Sequence, residues 1–255
     1  MAEKKREKAV VLSQKEISPG IFDMWLSVKE IAGLAKPGQF LSLYCKDGSR
    51  LLPRPISICE IDRQKNSLRL VYRKAGKGTE EFSKMKPGEE LDILGPLGNG
   101  FPLKGKKAFL VGGGIGIPPM LQLSKELDCE KQILLGYRDN LFLNEDFAPY
   151  GTVYLATEDG SAGTKGNVID AIEENHLSAD IIYACGPLPM LRALKNYAME
   201  RGIECYVSLE ERMACGIGAC LGCVCRSGEV DGHTNVHNRR VCKEGPVFLA
   251  QEVEF

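Results

Sequence analysis

The sequence predicts a multidomain β plus α/β protein. It has an antiparallel, Greek-key-like β-barrel over 1–101, a parallel α/β sheet over 102–209 and a small loop-rich module over 210–255. Three observations lead there. The first hundred residues are short β-rich runs divided by Pro-Gly and Asp-Gly turns. Strands then alternate with helical stretches, and beyond residue 210 the periodicity gives way to glycine and cysteine.

The barrel runs are 9–12, 21–28, 39–45, 56–61, 68–72 and 90–94, with Pro19-Gly20, Pro37-Gly38, Asp47-Gly48 and Pro87-Gly88 between them. At this spacing an antiparallel closure is expected, and only 79–85 reads as helix. In the second region a bare apolar strand, 108–111, feeds a glycine turn and the helix 120–127. Strands at 132–136 and 153–157 follow, then helix 168–174, strand 181–185, helix 190–200 and strand 204–209. Such alternation implies a parallel sheet covered on both faces. The remaining tail is too short to hold itself together by apolar burial, so a metal staple is expected in it.

Composition narrows the function. The chain has 255 residues, with 33 basic and 34 acidic side chains, so its net charge of -1 offers no pull toward nucleic acid or anionic lipid. Lys4, Lys5, Arg6 and Lys8 are interleaved with Glu3 and Glu7 and lead into no apolar core, unlike a secretory signal. The longest weakly polar run, 108–123, is broken by glycines and prolines and is too short to span a bilayer. A cytoplasmic protein that binds neither membrane nor nucleic acid is expected. Its ten cysteines would then be reduced thiols, better explained by metal binding or catalysis than by disulfides. Cys45, Cys59, Cys129 and Cys205 sit in apolar stretches and read as small hydrophobes.

Five cysteines fall between Cys215 and Cys242. Cys215, Cys220 and Cys223 form C-x4-C-x2-C, and Cys242 is the distant fourth, which is the plant-type spacing for a 2Fe-2S cluster. Three thiolates on one tight loop require backbone freedom, which Gly216, Gly218 and Gly222 are expected to supply through positive φ. Structural zinc is the alternative, although it usually shows two separated C-x2-C pairs. Cys225 would point to the opposite side of an extended chain and is the expected non-ligand, and His233 and His237 read as solvated loop residues.

The second motif is the turn 111–119, G-x-G-x-G-x-x-P, with Gly112, Gly114, Gly116 and Pro119. A glycine turn opening a helix can present backbone N–H groups to a pyrophosphate, but it can equally serve close strand-to-helix packing. Cys185, Gly186 and Met190, at the end of a later strand of the same sheet, suggest a nucleotide clamp, with a buried strand-end thiol as the other reading of Cys185. Asp139 is a candidate ribose-reading acid and its neighbour Arg138 a candidate for a 2′-phosphate. The third motif lies in the barrel: Arg54, Pro55, Ile56 and Ser57, then Val71, Tyr72 and Arg73, then Gly78 and Thr79 at a helix start. An arginine fork and a glycine turn of this kind suit a phosphate.

Together the motifs resemble the ferredoxin reductase superfamily, in which a β-barrel binds flavin and an α/β domain binds nicotinamide. The segments 211–225 and 241–248 look like one group within it, the electron-transfer subunits of NAD-linked (B-type) dihydroorotate dehydrogenase. The resemblance implies FAD, a 2Fe-2S cluster and NAD as acceptor. It also implies a partner catalytic subunit that carries FMN and oxidises dihydroorotate in pyrimidine biosynthesis, two of each subunit forming a heterotetramer.

Carried over by position, Arg54 would bind the FAD diphosphate and Ser57 would lie near flavin N5. Tyr72 and Arg73 would line the flavin, with Gly78 and Thr79 on phosphate. Gly112, Gly114, Gly116 and Pro119 would cradle NAD, with Cys185, Gly186 and Met190 bordering the nicotinamide. Cys215, Cys220, Cys223 and Cys242 would ligate the cluster. Ile56 departs from the aromatic residue common in the superfamily. Electrons are then expected to run from the partner's FMN through the cluster and FAD to NAD, with no side chain acting as general acid or base. An apolar partner-contact patch is expected around Ala214, Ile217, Ala219 and Leu221. A reductase subunit of a hydrogenase or ferredoxin transhydrogenase is the rival reading. A zinc-stabilised nucleotide-binding regulator is the remote one.

Overall fold

A computed structural model describes residues 3–228, 230 and 235–255. The barrel is closed in the order β1 (Lys5–Ser18), β2 (Ile21–Ser27), β5 (Ser67–Arg73), β4 (Arg54–Asp62), β3 (Phe40–Leu43), β6 (Glu90–Leu97), each pair antiparallel. Alternate residues point inward, so Leu26, Leu41, Leu43, Ile58, Leu68 and Leu70 fill the interior. Besides the expected helix, α2 (Lys77–Ser83), there is a second, α1 (Ile31–Leu34). The local sequence conceals α1 because what holds its first turn comes from β1. The buried Glu7 carboxylate accepts N–H bonds from Lys29, Glu30 and Ile31 at 2.6, 2.9 and 3.1 Å.

The α/β region contains β7 (Lys107–Gly113), α3 (Pro118–Glu126), β8 (Glu130–Tyr137), α4 (Asn144–Phe147), β9 (Thr152–Thr157) and β10 (Thr164–Lys165). After these come α5 (Val168–Glu174), β11 (Ile181–Cys185), α6 (Leu188–Arg201) and β12 (Glu204–Ser208). Neighbouring strand residues serve opposite faces. Leu110, Ile133 and Ile181 pack beneath α3, while Val111, Leu134 and Ile182 pack beneath α5 and α6. That double burial is why these strands read as continuous apolar runs. The outer face of the barrel, through Ile21, Cys59 and Val71, belongs to the same apolar cluster as α3.

The tail departs from its expected lack of regular structure. It holds β13 (Val224–Ser227), β14 (Asn238–Arg240), β15 (Val247–Leu249) and β16 (Val253–Glu254), all too short to show periodicity. β14, β13 and β16 form a three-stranded sheet, while β15 pairs antiparallel with β12. The large sheet therefore runs β10-β9-β8-β7-β11-β12-β15 and is mixed, parallel except at its last edge. No helix among the described residues is long and apolar enough to cross a membrane.

Candidate functional site

The four spaced thiols fall into two pairs. Cys215 shares a hydrogen bond with Cys220, and Cys223 with Cys242. Although partial burial pushes the Cys215 thiol up, N–H groups of Ile217, Cys220 and Ala219 and the Cys220 thiol draw it down to about 7. The Ala219 N–H reaches its sulfur at 3.3 Å. Cys223 is drawn down to about 6, mainly by the Cys242 thiol, and also accepts the Cys242 N–H at 3.4 Å. Cys242 shifts upward as the partner that keeps the shared proton. Low-lying thiols ringed by backbone donors suit anionic sulfur ligation of iron.

No group of three or more His, Cys, Asp or Glu among the described residues closes around a single ion. A two-iron centre takes four thiolates, and the two thiol pairs supply that number. The loop reaches its shape through Gly216 (φ 67°), Gly218 (φ 85°) and Leu221 (φ 56°). Gly222 does not take the positive φ expected of it. The left-handed step falls one residue earlier, on a leucine whose side chain is free to point outward at 44% exposure. Arg240 ties the loop down, donating to the Gly218 carbonyl at 3.1 Å while ion-paired with Glu244.

Ile217 and Leu221 are each 44% exposed, Ala219 is exposed and Ala214 half-buried. Cys225 stands apart, opposite Arg239 on β14, its thiol pushed up to about 11 by burial. His237 is exposed, and His233 lies outside the described residues.

Next to this loop is a cavity of about 360 Å³ at the barrel edge. Pro55, Ile56 and Ser57 of β4, Val71, Tyr72 and Arg73 of β5, and Thr79 line it, as the barrel motif led one to expect. Tyr72 is otherwise core, its ring packed with Phe22 and Phe82 and its hydroxyl 2.7 Å from Gln14 Nε2. The Thr79 hydroxyl already accepts the Ala75 and Gly76 N–H groups at 2.9 and 3.1 Å. Arg54 lies off the cavity wall against α2, so close that a Cβ on Gly78 would stand 2.3 Å from its Nε. Its guanidinium also donates to the Leu52 carbonyl.

Sequence reading missed Phe40, Ile115, Glu210, Met213 and Pro246, which reach this cavity from four separate parts of the chain. Phe40, opposite Ser57 in the β3–β4 register, brings an aromatic ring to a wall where position 56 has none. Glu210 is open to the cavity yet ringed by protein. Lost hydration raises its carboxyl above the usual range, against the opposing charge of Arg73. Met213 also lines the cavity, and Cys215 follows two residues later, so their Cα atoms are within about 7 Å.

A second pocket, about 580 Å³, lies between the barrel and the carboxyl ends of the sheet strands, where open α/β sheets hold ligands. Ser18, Pro19 and Ile21 form its barrel side. Gly113, Gly114, Arg138, Asp139, Pro187 and Met190 lie across from them. Arg73 lines both spaces. Of the glycine motif, Gly114 is on the wall, while Gly112, Gly116 and Pro119 are beneath it. A Cβ on Gly112 would meet Ile117 Cα at 2.8 Å, and one on Gly116 would meet the Cys185 carbonyl oxygen at 2.3 Å. A Cβ on Gly186 (φ 155°) would meet the Met190 methyl carbon at 2.6 Å. Cys185 is 1% exposed, its thiol raised by burial, and it sits in the core behind the pocket. Asp139 spends one carboxylate oxygen on the N–H and side-chain amide of Asn140 at 2.6 and 2.9 Å.

Comparison with known proteins gives consistent results. Residues 210–254 match the iron-sulfur cluster binding domain of dihydroorotate dehydrogenase B. Over 98% of its length the chain is 45% identical to the dihydroorotate dehydrogenase B (NAD(+)) electron transfer subunit of Geobacillus sp. strain WCH70, covering 98% of that protein. It is also 45% identical to the protein of that name in Bacillus mycoides strain KBAB4, covering 97% of this chain and 98% of the other. Among solved structures, an NADH-dependent reduced ferredoxin-NADP oxidoreductase, reported in connection with flavin-based electron bifurcation, superposes with a TM-score of 0.86. It is 28% identical, covering 96% of this chain and 89% of that one.

Proposed function

Because the chain belongs to the family of electron transfer subunits of dihydroorotate dehydrogenase B, we propose that it links an FMN-containing, dihydroorotate-oxidising catalytic subunit to NAD in pyrimidine biosynthesis. A 2Fe-2S cluster supplies single-electron transfer and FAD accepts electrons singly or in pairs, which lets one chain join a one-electron donor to the two-electron reduction of NAD. The observation that carries this reading is the adjacency of Met213, on the cavity wall, to Cys215, the first thiol of the cysteine loop. Two redox groups held by these residues would be separated by little more than a dipeptide.

Cys215, Cys220, Cys223 and Cys242 would hold the cluster, and the N–H groups donating to the Cys215 sulfur would stabilise its thiolate form. Arg54 and the α2 start at Gly78 and Thr79 take the FAD diphosphate. Pro55, Ile56, Ser57, Val71, Tyr72 and Arg73 shape the flavin cavity. Gly114, with its neighbour Gly113, brings backbone to the NAD pyrophosphate. Gly112, Gly116, Pro119, Cys185 and Gly186 support that turn from behind, and Met190 borders the nicotinamide. No residue need act as general acid or base, since orientation, separation and exclusion of water are what the protein contributes.

The same reading divides the chain into units 1–101, 102–209 and 210–255 and places it in the cytoplasm. Two copies of each subunit would meet through the apolar rim at Ile217 and Leu221. The ferredoxin transhydrogenase alternative is the weaker one, 28% identity standing against 45%. Cys220→Ser provides the test. The variant should lose the iron-sulfur absorption and dihydroorotate-driven NADH formation, while NADH still bleaches the bound flavin. Coupled turnover at the parent rate would overturn the assignment.

A further inference from the structure

An ion cluster beside the NAD pocket, buried at Arg69 and Asp23 and half-buried at Asp146, links the barrel to α4. Arg69 of β5 forks onto Asp23 of β2 with two 3.0 Å bonds, Nε to Oδ1 and Nη2 to Oδ2. Its remaining nitrogen, Nη1, reaches Glu60 of β4 at 3.4 Å and Asp146 of α4 at 2.5 Å. Asp23 is 1% and Arg69 10% exposed in their side chains, so the barrel already neutralises this guanidinium from within. Asp146 comes from the other domain.

Its position in the chain gives that contact a purpose. The segment from Arg138 to Phe142 walls the NAD pocket, and α4 follows directly. The segment is braced internally, the Tyr137 hydroxyl donating to the Phe142 carbonyl at 2.8 Å, and Leu143 makes a left-handed turn (φ 61°) into α4. Phe142, Leu143 and Phe147 give it apolar seating. Among the described residues, Asp146 to Arg69 is its one hydrogen bond or ion pair to the barrel.

The barrel end of the tie is equally placed. Arg69 and Arg73 lie on the same side of β5, four residues and about 13 Å apart, and Arg73 forms part of the pocket's opposite wall. The pair thus joins the two walls of one cleft behind the space they enclose.

We propose that Asp146 is a positioning residue for the dinucleotide: by pairing with Arg69 it fixes the 138–142 wall against the barrel wall and so sets the affinity for NAD(H), resting as this does on the NAD assignment above. Asp146 is not among the residues that line the pocket, so its loss should weaken binding and leave the reaction of the bound complex intact. Asp146→Asn keeps shape and removes charge, and the barrel's own Asp23 still neutralises Arg69, so the variant should fold. In the flavin- and cluster-loaded complex with its catalytic subunit, NADH concentration is varied while flavin bleaching is followed by anaerobic stopped flow. Asp146→Asn and Asp146→Ala should raise the half-saturating NADH concentration about tenfold, within the range of ordinary coupling energies, with the limiting rate within twofold of the parent.

Asp146→Glu should restore most of the affinity. Hydrogen exchange should quicken over 138–147 and stay unchanged in β2 and β5. A melting temperature that falls while half-saturation stays within twofold of the parent would assign the pair to stability alone and overturn the proposal. A lower limiting rate at unchanged half-saturation would overturn it too. A parent complex with no saturable NADH dependence would instead remove the NAD assignment on which it stands.

Discussion

Alanine at Gly116 probes what the glycine turn is for. The added Cβ would lie 2.3, 2.4 and 2.5 Å from the Cys185 oxygen, the Cys185 carbon and the Gly186 nitrogen. Optimal carbon contacts begin near 3.5 Å, so the methyl group intrudes by about 1 Å on main chain that cannot rotate away. Either the 114–116 turn lifts off β11 or β11 bends, and overpacking of this kind costs about 1–3 kcal/mol. In a chain of this size that corresponds to a melting temperature about 2–12 °C lower.

Gly76→Ala is the control, with extended backbone and nothing within 4 Å of its Cβ, and it should melt with the parent. Melting is followed by circular dichroism and flavin fluorescence, and NADH half-saturation is measured on the same samples. If Gly116→Ala melts within 2 °C of the parent but loses NADH affinity, Gly116 faces the ligand and the packing account of this glycine is wrong.

Arg54→Ala should weaken FAD retention by about tenfold or more, the worth of charge-assisted bonds to a phosphate, with the barrel's melting little changed. Flavin fluorescence released on dilution measures this, and unchanged retention would remove Arg54 from the diphosphate site. Glu210→Gln addresses pH. A carboxyl whose folded pKa is raised contributes most to stability below the ordinary value near 4.5, and that contribution is lost as pH climbs through the raised value. In the flavin-free chain, Glu210→Gln and parent should therefore melt together at pH 4.5, with the variant increasingly the more stable toward pH 8. A constant difference across that range would mean that Glu210 is not desolvated.

Legibility followed the length over which a pattern could repeat. Val168–Glu174 and Ile181–Cys185 stand where apolar periodicity put them, because one face of the helix and both faces of the strand are buried. The helical turn at Ile31–Leu34 was hidden, since the carboxylate that starts it belongs to Glu7. Strands of two to four residues in the tail gave no period to read. At the site, the cysteine spacing was local and therefore visible. Which glycine faces the pocket was not, because the strand β11 that runs behind Gly116 and not behind Gly114 comes from about seventy residues further along the chain. Phe40, Glu210 and Met213 converge on one cavity through the tertiary fold, and no window of sequence contains them together.

The antiparallel pairing of Val247–Leu249 with Tyr206–Ser208 has a consequence for how fast charge can travel. The chain that carries Cys242 enters that sheet five residues later, so the cysteine loop is no swinging arm, and its distance to the barrel-edge cavity is built in rather than sampled by diffusion. Coupled turnover should then be indifferent to added sucrose or glycerol at a given temperature. Trimming the last nine residues should unravel the sheet edge and the redox loop as one event.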